Sequence, residues 1–185
     1  MVNFFKLTSI MSKINMAKHL KKGFWFVNIY YMKKVTLICV GSIKEKYLND
    51  AINEYKKRIQ KFFDLNILEI PESKLLSSQK EIEKALDEEG ERILEKAKGK
   101  TLVSLCVEGK HVTSEELSDF VDQKTDMGEV VFVIGSSFGL SKKVKQNSIN
   151  LSFSKLTFPH QLMRVIFLEQ LYRAGTIINN ITYHK

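Results

Sequence analysis

The residues best suited to carry out chemistry lie between Leu151 and Ala174, where a short apolar run leads through a polar loop into a long apolar stretch. Pro159 has no backbone N–H and a fixed φ angle, so it predicts the first turn of a helix. The free N–H groups of that helix would face the loop Phe153–Phe158, and the ionisable side chain of His160 lies beside them. This pattern is compatible with a small-molecule site, but taken alone it fits better an ordinary strand–helix connection with a surface histidine.

Two other loops are chemically distinctive, because each follows an apolar run typical of a buried strand. They are Leu105–Lys110 and Gly135–Gly139. Ligands of parallel sheets lie beyond the carboxyl ends of the strands, so both loops are candidate ligand contacts. The sequence GSSFG at Gly135 has neither the dinucleotide fingerprint nor the P-loop spacing, which argues against a phosphate cradle. It fits a turn that needs a permissive backbone as well as a loop that contacts a ligand.

Several kinds of active site find no support in the sequence. No His, Cys, Asp and Glu residues stand at metal-ligand spacing, and no G-x-S-x-G elbow presents a serine nucleophile. Cys39 and Cys106 lie within apolar runs, which predicts reduced core residues in a cytosolic protein. Nothing close to Cys106 in the sequence would lower the pKa of its thiol. The remaining interpretation is a cofactor without phosphates, held mainly by backbone groups.

The elements that would position these loops alternate regularly between strands and helices. This alternation predicts an α/β domain with a mainly parallel sheet flanked by helices. The predicted strands are Lys34–Val40, Leu65–Ile70, Thr101–Val107, Val130–Ile134 and Ser148–Phe153. Three predicted helices are Ile43–Phe63, Ser78–Ala97 and Ser141–Gln146. A fourth is capped by Thr113 or Ser114, with Glu116 in a capping box, and ends near Thr125. A fifth begins at Pro159, and Ser154 or Thr157 would be its cap.

Length and charge favour one globular domain. The chain has 185 residues and a net charge of +8, but residues 1–31 hold five lysines and no acid, which leaves +3 on residues 32–185. Mild basicity of this size is compatible with RNA binding and does not establish it. We expect residues 32–185 to form the domain and residues 1–31 to be a disordered extension or the product of a misassigned start. No apolar run reaches the roughly 18 residues of a membrane span.

The three candidate loops, followed by FPHQLMRVIFLEQLYRA and the terminal residues Tyr183, His184 and Lys185, resemble one known family. It is the ribosomal RNA large subunit methyltransferase H family of the SPOUT superfamily. The resemblance extends over Met32–Lys185, and its most specific parts are LSFSKLTFPHQLMRV, LEQLYRA and the closing YHK.

The resemblance implies a cytoplasmic homodimer whose C-terminal part forms a deep trefoil knot. It implies that S-adenosylmethionine, without any metal, is held chiefly by backbone groups. Carried onto this chain, the cofactor contacts are Leu105, Gly135, Phe153, Ser154, Lys155, Leu156, Thr157 and Phe158. The reaction implied is methylation of N3 of a pseudouridine, at position 1915 of 23S rRNA, in the assembled 70S ribosome.

Four side chains are expected to act on the substrate if the resemblance holds. His160 would position the base or accept its proton, because an imide is a poor nucleophile until it is deprotonated. Arg173 would stabilise developing negative charge or hold a phosphate; alternatively it is a surface ion pair with Glu169 at i, i+4. Tyr183 would stack on a base and His184 would bind the substrate.

Two departures from the family pattern and two alternatives remain open. Residues 1–31 have no counterpart in the family, and Ser136 stands where a second glycine is common, so its hydroxymethyl group could crowd the cofactor loop. Arg164 is either structural or part of a dimer interface. One alternative function is a SPOUT methyltransferase that acts on tRNA, although residues 32–185 leave no room for an appended RNA-binding domain. The other is a ribosome-binding factor without catalytic activity.

Overall fold

The computed structural model describes residues 32–73 and 77–185, and the predicted extension 1–31 lies outside these residues. Within them, five parallel strands form one sheet in the order β2-β1-β4-β3-β5. The strands are β1 Lys33–Val40, β2 Phe63–Ile70, β3 Thr101–His111, β4 Val130–Ile134 and β5 Ile149–Ser152. The predicted α/β class with a mainly parallel sheet flanked by helices is therefore confirmed.

Five helices accompany the sheet in the described residues. They are α1 Lys46–Ile59, α2 Gln79–Lys96, α3 Ser114–Met127, α4 Lys142–Gln146 and α5 His160–Ile178. Helix α1 is shorter at both ends than predicted, because Glu45 is still extended and the chain turns after Gln60. In the part of the chain that the structure describes, no helix combines the length and apolar character needed to cross a bilayer.

Strands β1 and β4 and the first half of β3 are almost continuously buried, because helices cover both faces of the sheet there. On one face α5 packs between α1 and α3, and Phe132 meets Phe167 of α5 with ring centroids 4.7 Å apart. On the other face α2 and α4 cover Ile38, Val131 and Val133. Full burial of each such side chain contributes about 1.5–3 kcal/mol, so α5 is anchored along most of its length.

Side-chain caps fix the starts of α2 and α3. The Thr113 hydroxyl accepts from the Glu116 N–H at 3.1 Å, and the Glu116 carboxylate accepts from the Thr113 N–H at 2.8 Å. This is the predicted capping box, and Ser78 and Glu81 form a second one at α2. A capping box satisfies two backbone donors that the helix itself leaves unpaired, so both helices begin at defined positions.

Strand β3 is longer than predicted and contains an excursion. Its first residues pair with β4 and β5 as far as Leu105, and pairing with β5 resumes at Lys110. Leu151 is the partner of both residues, so residues 106–109 leave the ladder as a bulged loop. Gly109 is required here, since a Cβ atom at this position would lie 2.5 Å from the Leu151 carbonyl carbon.

Candidate functional site

A cleft opens where β3, β4 and β5 end, and we call it the β3–β4–β5 cleft. It has two lobes of about 80 and 320 Å³, and both are lined by Leu105, Cys106 and Val107 from the excursion in β3. The smaller lobe is bounded by the loop that leads to α5, and the larger lobe by the loop after β4. The three loops singled out in the sequence therefore meet at one edge of the sheet.

Six of the eight residues expected to contact a cofactor line this cleft. They are Leu105, Gly135, Phe153, Ser154, Leu156 and Phe158. Lys155 and Thr157 are exposed and line neither lobe. The structure thus brings most of the predicted set together, and it adds the side chains of Cys106 and Met163, which sequence reasoning did not include.

The loop before α5 is shaped by its own hydrogen bonds. The Ser152 hydroxyl donates to the Ser154 carbonyl at 2.9 Å, and the Ser154 hydroxyl accepts from the Leu156 N–H at 2.9 Å. No side chain caps α5, whose N-cap residue is Pro159 itself, so the prediction that Ser154 or Thr157 caps this helix is wrong. Ser154 instead forms a turn within the loop, which holds the wall of the cleft in place.

The loop Gly135–Gly139 is a tight turn that also lines the cleft. The Ser136 N–H donates to the Gly139 carbonyl at 3.2 Å, and the Gly139 N–H donates back at 2.9 Å. Gly139 has φ +87°, and a Cβ atom on Gly135 would lie 2.2 Å from the Gly139 carbonyl oxygen. Both glycines are therefore required by the turn, which confirms the interpretation of GSSFG as a turn with a permissive backbone, while its contact with a ligand stays a prediction.

One carboxylate contacts this turn, and a second holds the segment after β2 that carries the first. Glu72, after β2, accepts from the Ser137 N–H at 3.3 Å and from its hydroxyl at 3.1 Å. Glu89 on α2 is almost completely buried and accepts from the Ser73 N–H at 3.2 Å. Burial raises the pKa of Glu89, although hydrogen bonds from Ser73 and from the Ser136 hydroxyl oppose the shift. The Ser136 side chain, where a glycine was expected, is itself buried.

Sequence reasoning missed both carboxylates, and one of them left a signal. Glu89 lies between Leu86 and Ile93 at helical spacing, on the stripe of α2 that faces the sheet. An acid on an apolar stripe predicts a buried partner. Glu72 follows Pro71 in an irregular segment, where no periodicity could have indicated its contact with Ser137.

A second cleft, the β1–β2 cleft, lies at the neighbouring strand ends. It encloses about 980 Å³ and is lined by charged groups, which include Lys44, Glu45, Glu69 and Glu72. Because β1 pairs with β4, this cleft lies next to the β3–β4–β5 cleft along the same edge of the sheet. Glu72 belongs to its lining, so the carboxylate that supports the Gly135–Gly139 turn also forms part of the neighbouring cleft.

Arg164 fixes the floor of the β1–β2 cleft. Its side chain is 2% exposed, and one terminal nitrogen donates to the carbonyls of Val40 at 2.8 Å and Gly41 at 3.0 Å. The other terminal nitrogen donates to the half-exposed carboxylate of Glu69 at 3.0 Å. A planar guanidinium satisfies these three acceptors at once, which a lysine could not do. Of the two alternatives for Arg164, the structural one is therefore observed.

His160 is the residue that the two clefts share. It is the first residue of α5, and it lines both the larger lobe of the β3–β4–β5 cleft and the β1–β2 cleft. Its position beside the helix start agrees with the sequence prediction. A titratable ring between two adjacent clefts can exchange a proton with a group held in either one.

The other three predicted substrate residues form a cluster at the far end of α5. Arg173 donates through Nε to Glu169 at 3.1 Å, and the Tyr183 hydroxyl donates to the same carboxylate at 3.2 Å. The Arg173 guanidinium also lies over the Tyr183 ring, 4.8 Å from its centroid. The ion pair expected as the alternative role of Arg173 is thus present, and the C-terminal residues are held by defined contacts.

Hydrogen bonds from two elements orient His184 within this cluster. Its Nδ1 accepts from Arg173 at 3.3 Å and its Nε2 donates to the Glu115 carboxylate at 2.7 Å, a pattern that assigns the Nε2–H tautomer. The pKa of the Glu115 carboxyl is lowered to about 2. The main cause is a hydrogen bond from its own backbone N–H at the start of α3, and the hydrogen bond from His184 is the second cause. Burial, with the Glu169 carboxylate adding to it, raises the pKa of Tyr183 to about 12.

The structure does not bring all four predicted substrate residues together within one chain. His160 starts α5, whereas Arg173, Tyr183 and His184 cluster near its end. The one signal of this separation in the sequence is the unbroken helical pattern between His160 and Arg173. The chain therefore offers two half-sites, one beside the clefts and one at the C-terminus.

The two cysteines differ in their surroundings. Cys39 is buried in the core as predicted, and burial raises the pKa of its thiol to about 12. Cys106 is half-buried in the wall of the cleft, so its assignment to the core is wrong. Burial, with the Glu108 carboxylate adding to it, raises the pKa of this thiol, which makes it a poor nucleophile at neutral pH.

Comparison with known proteins identifies the family. The family described as "Predicted SPOUT methyltransferase" matches residues 32–184 of this chain. Two relatives named "Putative ribosomal RNA large subunit methyltransferase H", from Methanococcus maripaludis strain C5 and Methanococcus vannielii, are each 50% identical over 157 residues. Each alignment covers 82% of this chain and 99% of the relative.

Solved structures support the fold. The crystal structure of a probable methyltransferase from Bordetella pertussis Tohama I superposes with a TM-score of 0.53. The alignment covers 80% of this chain and 98% of that one, at 13% sequence identity. At this identity the likeness concerns the arrangement of strands and helices and not the chemistry.

Proposed function

This chain belongs to the SPOUT methyltransferase family, and we propose that it transfers a methyl group from S-adenosylmethionine to N3 of a pseudouridine in 23S rRNA. Its relatives in Methanococcus carry the name of the large subunit methyltransferase H group and align with it over almost their whole length. The substrate is the assembled 70S ribosome in the cytoplasm. Two copies of the chain act as a homodimer, with the C-terminal trefoil knot of the family.

The β3–β4–β5 cleft is the cofactor site in this proposal. Its walls suit S-adenosylmethionine because apolar side chains such as Leu105 and Phe158 can pack on an adenine, and both bounding loops present backbone groups. The turn Gly135–Gly139 excludes side-chain atoms at its two ends, which allows a ligand to approach the backbone closely. When bound, the cofactor supplies an electrophilic methyl group on a sulfonium, which needs no phosphate cradle.

His160 acts on the pseudouridine base. N3 carries an imide proton and becomes a nucleophile only as that proton leaves, so a ring nitrogen of His160 accepts the proton or holds the base while it is lost. The observation that carries the proposal is the position of His160, which lines the proposed cofactor cleft and also the neighbouring open cleft. The base would therefore meet the methyl donor at this residue.

The cluster of Arg173, Tyr183 and His184 completes the site from the partner copy of a homodimer. Within one chain it lies at the opposite end of α5 from His160, so it serves the second copy's clefts. Arg173 stabilises the anionic base or a phosphate, and Tyr183 stacks on a base. The pKa of Tyr183, raised to about 12, keeps its hydroxyl protonated at neutral pH, so this residue donates hydrogen bonds and does not act as the base.

Tritiated methyl transfer from S-adenosylmethionine to purified ribosomes tests the proposal. We expect incorporation into 23S rRNA from ribosomes that contain the pseudouridine and none from ribosomes that lack it. The variant His160→Ala should lose transfer and keep cofactor binding. His111 is an exposed histidine outside both clefts, so His111→Ala should keep both transfer and cofactor binding. Incorporation into isolated tRNA instead would contradict the proposal that 23S rRNA is the substrate. Absence of both methyl transfer and cofactor binding would contradict the proposal that the protein is an enzyme.

A further inference from the structure

We propose that the β1–β2 cleft receives the target nucleotide of the RNA and that the segment Lys44–Tyr47 at its mouth binds the strand that carries it. This inference rests on the proposed function and assigns a role to a cleft that the cofactor does not need. The β1–β2 cleft is the larger of the two, about 980 Å³ against lobes of about 80 and 320 Å³. This volume is in the range of clefts that enclose a small ligand such as one nucleotide.

The first argument is the route to the reacting atoms. The two clefts are neighbours along the carboxyl edge of the sheet, and His160 lines both. A base that enters the β1–β2 cleft therefore meets His160 from one side, while a group in the β3–β4–β5 cleft lies on its other side. A nucleotide presented this way must leave its stack in the RNA, as bases do when enzymes modify them.

The second argument is that the walls of the β1–β2 cleft are fixed before any ligand binds. Arg164 ties the carbonyls of Val40 and Gly41 to the interior, and Glu72 connects the segment after β2 to Ser137. A preorganised wall lowers the entropic cost of binding. Glu72 lines the β1–β2 cleft and also binds the Gly135–Gly139 turn of the β3–β4–β5 cleft, so the two clefts keep a fixed position relative to each other.

The third argument is the chemistry of the lining. A pseudouridine base presents two N–H donors, N1–H and N3–H, where uridine presents one. The β1–β2 cleft offers carboxylate acceptors from Glu45 and Glu72, and Gln161 can donate to a base carbonyl. This lining suits a uracil-type base that is rich in N–H donors, and it would repel a bare phosphate from the interior of the cleft.

The fourth argument is the composition of the mouth. Lys44 and Lys46 are exposed cations, and Tyr47 is 71% exposed on the first turn of α1. Both lysines lie just before Tyr47 in the sequence, and an exposed aromatic ring beside cations is a platform on which RNA bases can stack. We assign Tyr47 to stacking on a nucleotide that flanks the target, and Lys44 to an adjacent phosphate.

Steady-state methyl transfer to ribosomes by the full chain tests this assignment, with Tyr47→Ala, Tyr47→Phe and Lys44→Ala as variants. We expect Tyr47→Ala to raise KM for ribosomes about tenfold while Tyr47→Phe stays close to the unaltered protein, because a phenyl ring stacks as well as a phenol. Lys44→Ala should weaken binding and reduce the slope of log(kcat/KM) against log[KCl] by about one, at constant magnesium. The affinity for S-adenosylmethionine should not change in any of the three.

Matched controls come from the opposite edge of the sheet. Met127, 79% exposed at the end of α3, and the exposed Lys98, between α2 and β3, both precede strands. The variants Met127→Ala and Lys98→Ala remove an apolar group and a charge of comparable exposure, so they should leave KM and the salt slope unchanged.

The outcomes separate this inference from the proposed function. If the unaltered protein methylates ribosomes but Tyr47→Ala and Lys44→Ala leave KM unchanged, the inference is wrong and the proposed function stands. If either variant weakens cofactor binding as much as it raises KM, the cleft belongs to the cofactor and the inference is again wrong. If the unaltered protein transfers no methyl group, the proposed function fails and this inference fails with it.

Discussion

His160 and Arg173 lie at opposite ends of α5, thirteen residues apart, which at the rise of an α-helix is about 20 Å along the axis. A single target base cannot touch both side chains of one chain across that distance. Two copies related by a twofold axis can place the start of one α5 near the end of the other, because a twofold interface pairs unlike positions reciprocally. The proposal of a site shared between two protomers rests on this separation within the chain.

A mixing experiment follows from this relationship. His160→Ala and Arg173→Ala should each abolish most methyl transfer, but a mixture of the two after subunit exchange should recover about one quarter of the unaltered activity. A random mixture holds half heterodimers, and each of these has one site with both intact residues. Activity that stays at the level of the separate variants, with exchange verified by mass spectrometry, would contradict a shared site.

Arg164 should contribute to stability more than to chemistry. Replacing it by Leu leaves the carbonyls of Val40 and Gly41 without a donor, so we expect the free energy of unfolding to fall by about 3–5 kcal/mol in a denaturant titration. Glu69→Gln is the matched change, because that carboxylate is half-exposed and its loss should cost at most about 1 kcal/mol. Equal losses for the two variants would mean that the ion pair, and not the carbonyl contacts, is what Arg164 contributes.

The buried carboxylate of Glu89 should make stability depend on pH. Its folded-state pKa lies above the ordinary value of 4.5, so the contribution of this group is full below pH 4.5 and is lost as the pH rises through the raised pKa. Glu89→Gln keeps an acceptor for the Ser73 N–H and removes the buried charge. We expect its melting temperature at neutral pH to rise by roughly 2–4 °C, with a flatter dependence on pH above 4.5.

The control for this measurement is Glu95→Gln on the same helix. Glu95 is exposed, so its replacement should shift neither the melting temperature nor its pH dependence. A fall in the melting temperature of Glu89→Gln would show that the charged form is needed to hold Ser73 and Ser136. In that case the affinity for S-adenosylmethionine should fall as well, because the Gly135–Gly139 turn would be loosened.

Tyr183→Phe should lower methyl transfer without changing the shape of its pH profile. The pKa of Tyr183 is raised to about 12, so its hydroxyl remains protonated throughout the usual assay range and contributes no titration there. The variant keeps the ring contacts with Tyr172 and Arg173 and loses only the bond to Glu169. An alkaline limb that is present in the unaltered enzyme and absent in Tyr183→Phe would contradict this assignment.

The sheet could be predicted well because its strands are buried on both faces. Val130–Ile134 was predicted with its observed bounds, since five apolar β-branched or aromatic residues between polar segments have few alternatives. The capping box at Thr113 was predictable for a similar reason, because the residues that form it are three positions apart. Prediction was poorer for β3, whose last residues are polar and leave the ladder.

Two features made part of the candidate site predictable: residues close together in sequence, and loops such as those at Leu105 and Gly135 that follow parallel strands and so lie at one edge of the sheet. The loop Phe153–Phe158 and His160 form one continuous segment, and their strand–loop–helix pattern indicated a ligand site. The contacts of Glu72 with Ser137, 65 positions away, and of Glu115 with His184, 69 positions away, depend on tertiary packing that no local pattern encodes. The cap of α5 was mispredicted because a hydroxyl before a helix is a good cap only when the loop does not use it elsewhere, and the Ser154 hydroxyl accepts from the Leu156 N–H.

Because of the excursion in β3, the length of the loop at residues 106–109 does not determine how the strands of the sheet are paired. Leu151 is the partner of both Leu105 and Lys110, so the residues between them do not change the register of β5 against β3. We expect an insertion or deletion in that interval to change the cleft wall and to leave the other strand pairings as they are. The depth of the cleft wall can therefore be altered at residues 106–109 without moving the rest of the sheet.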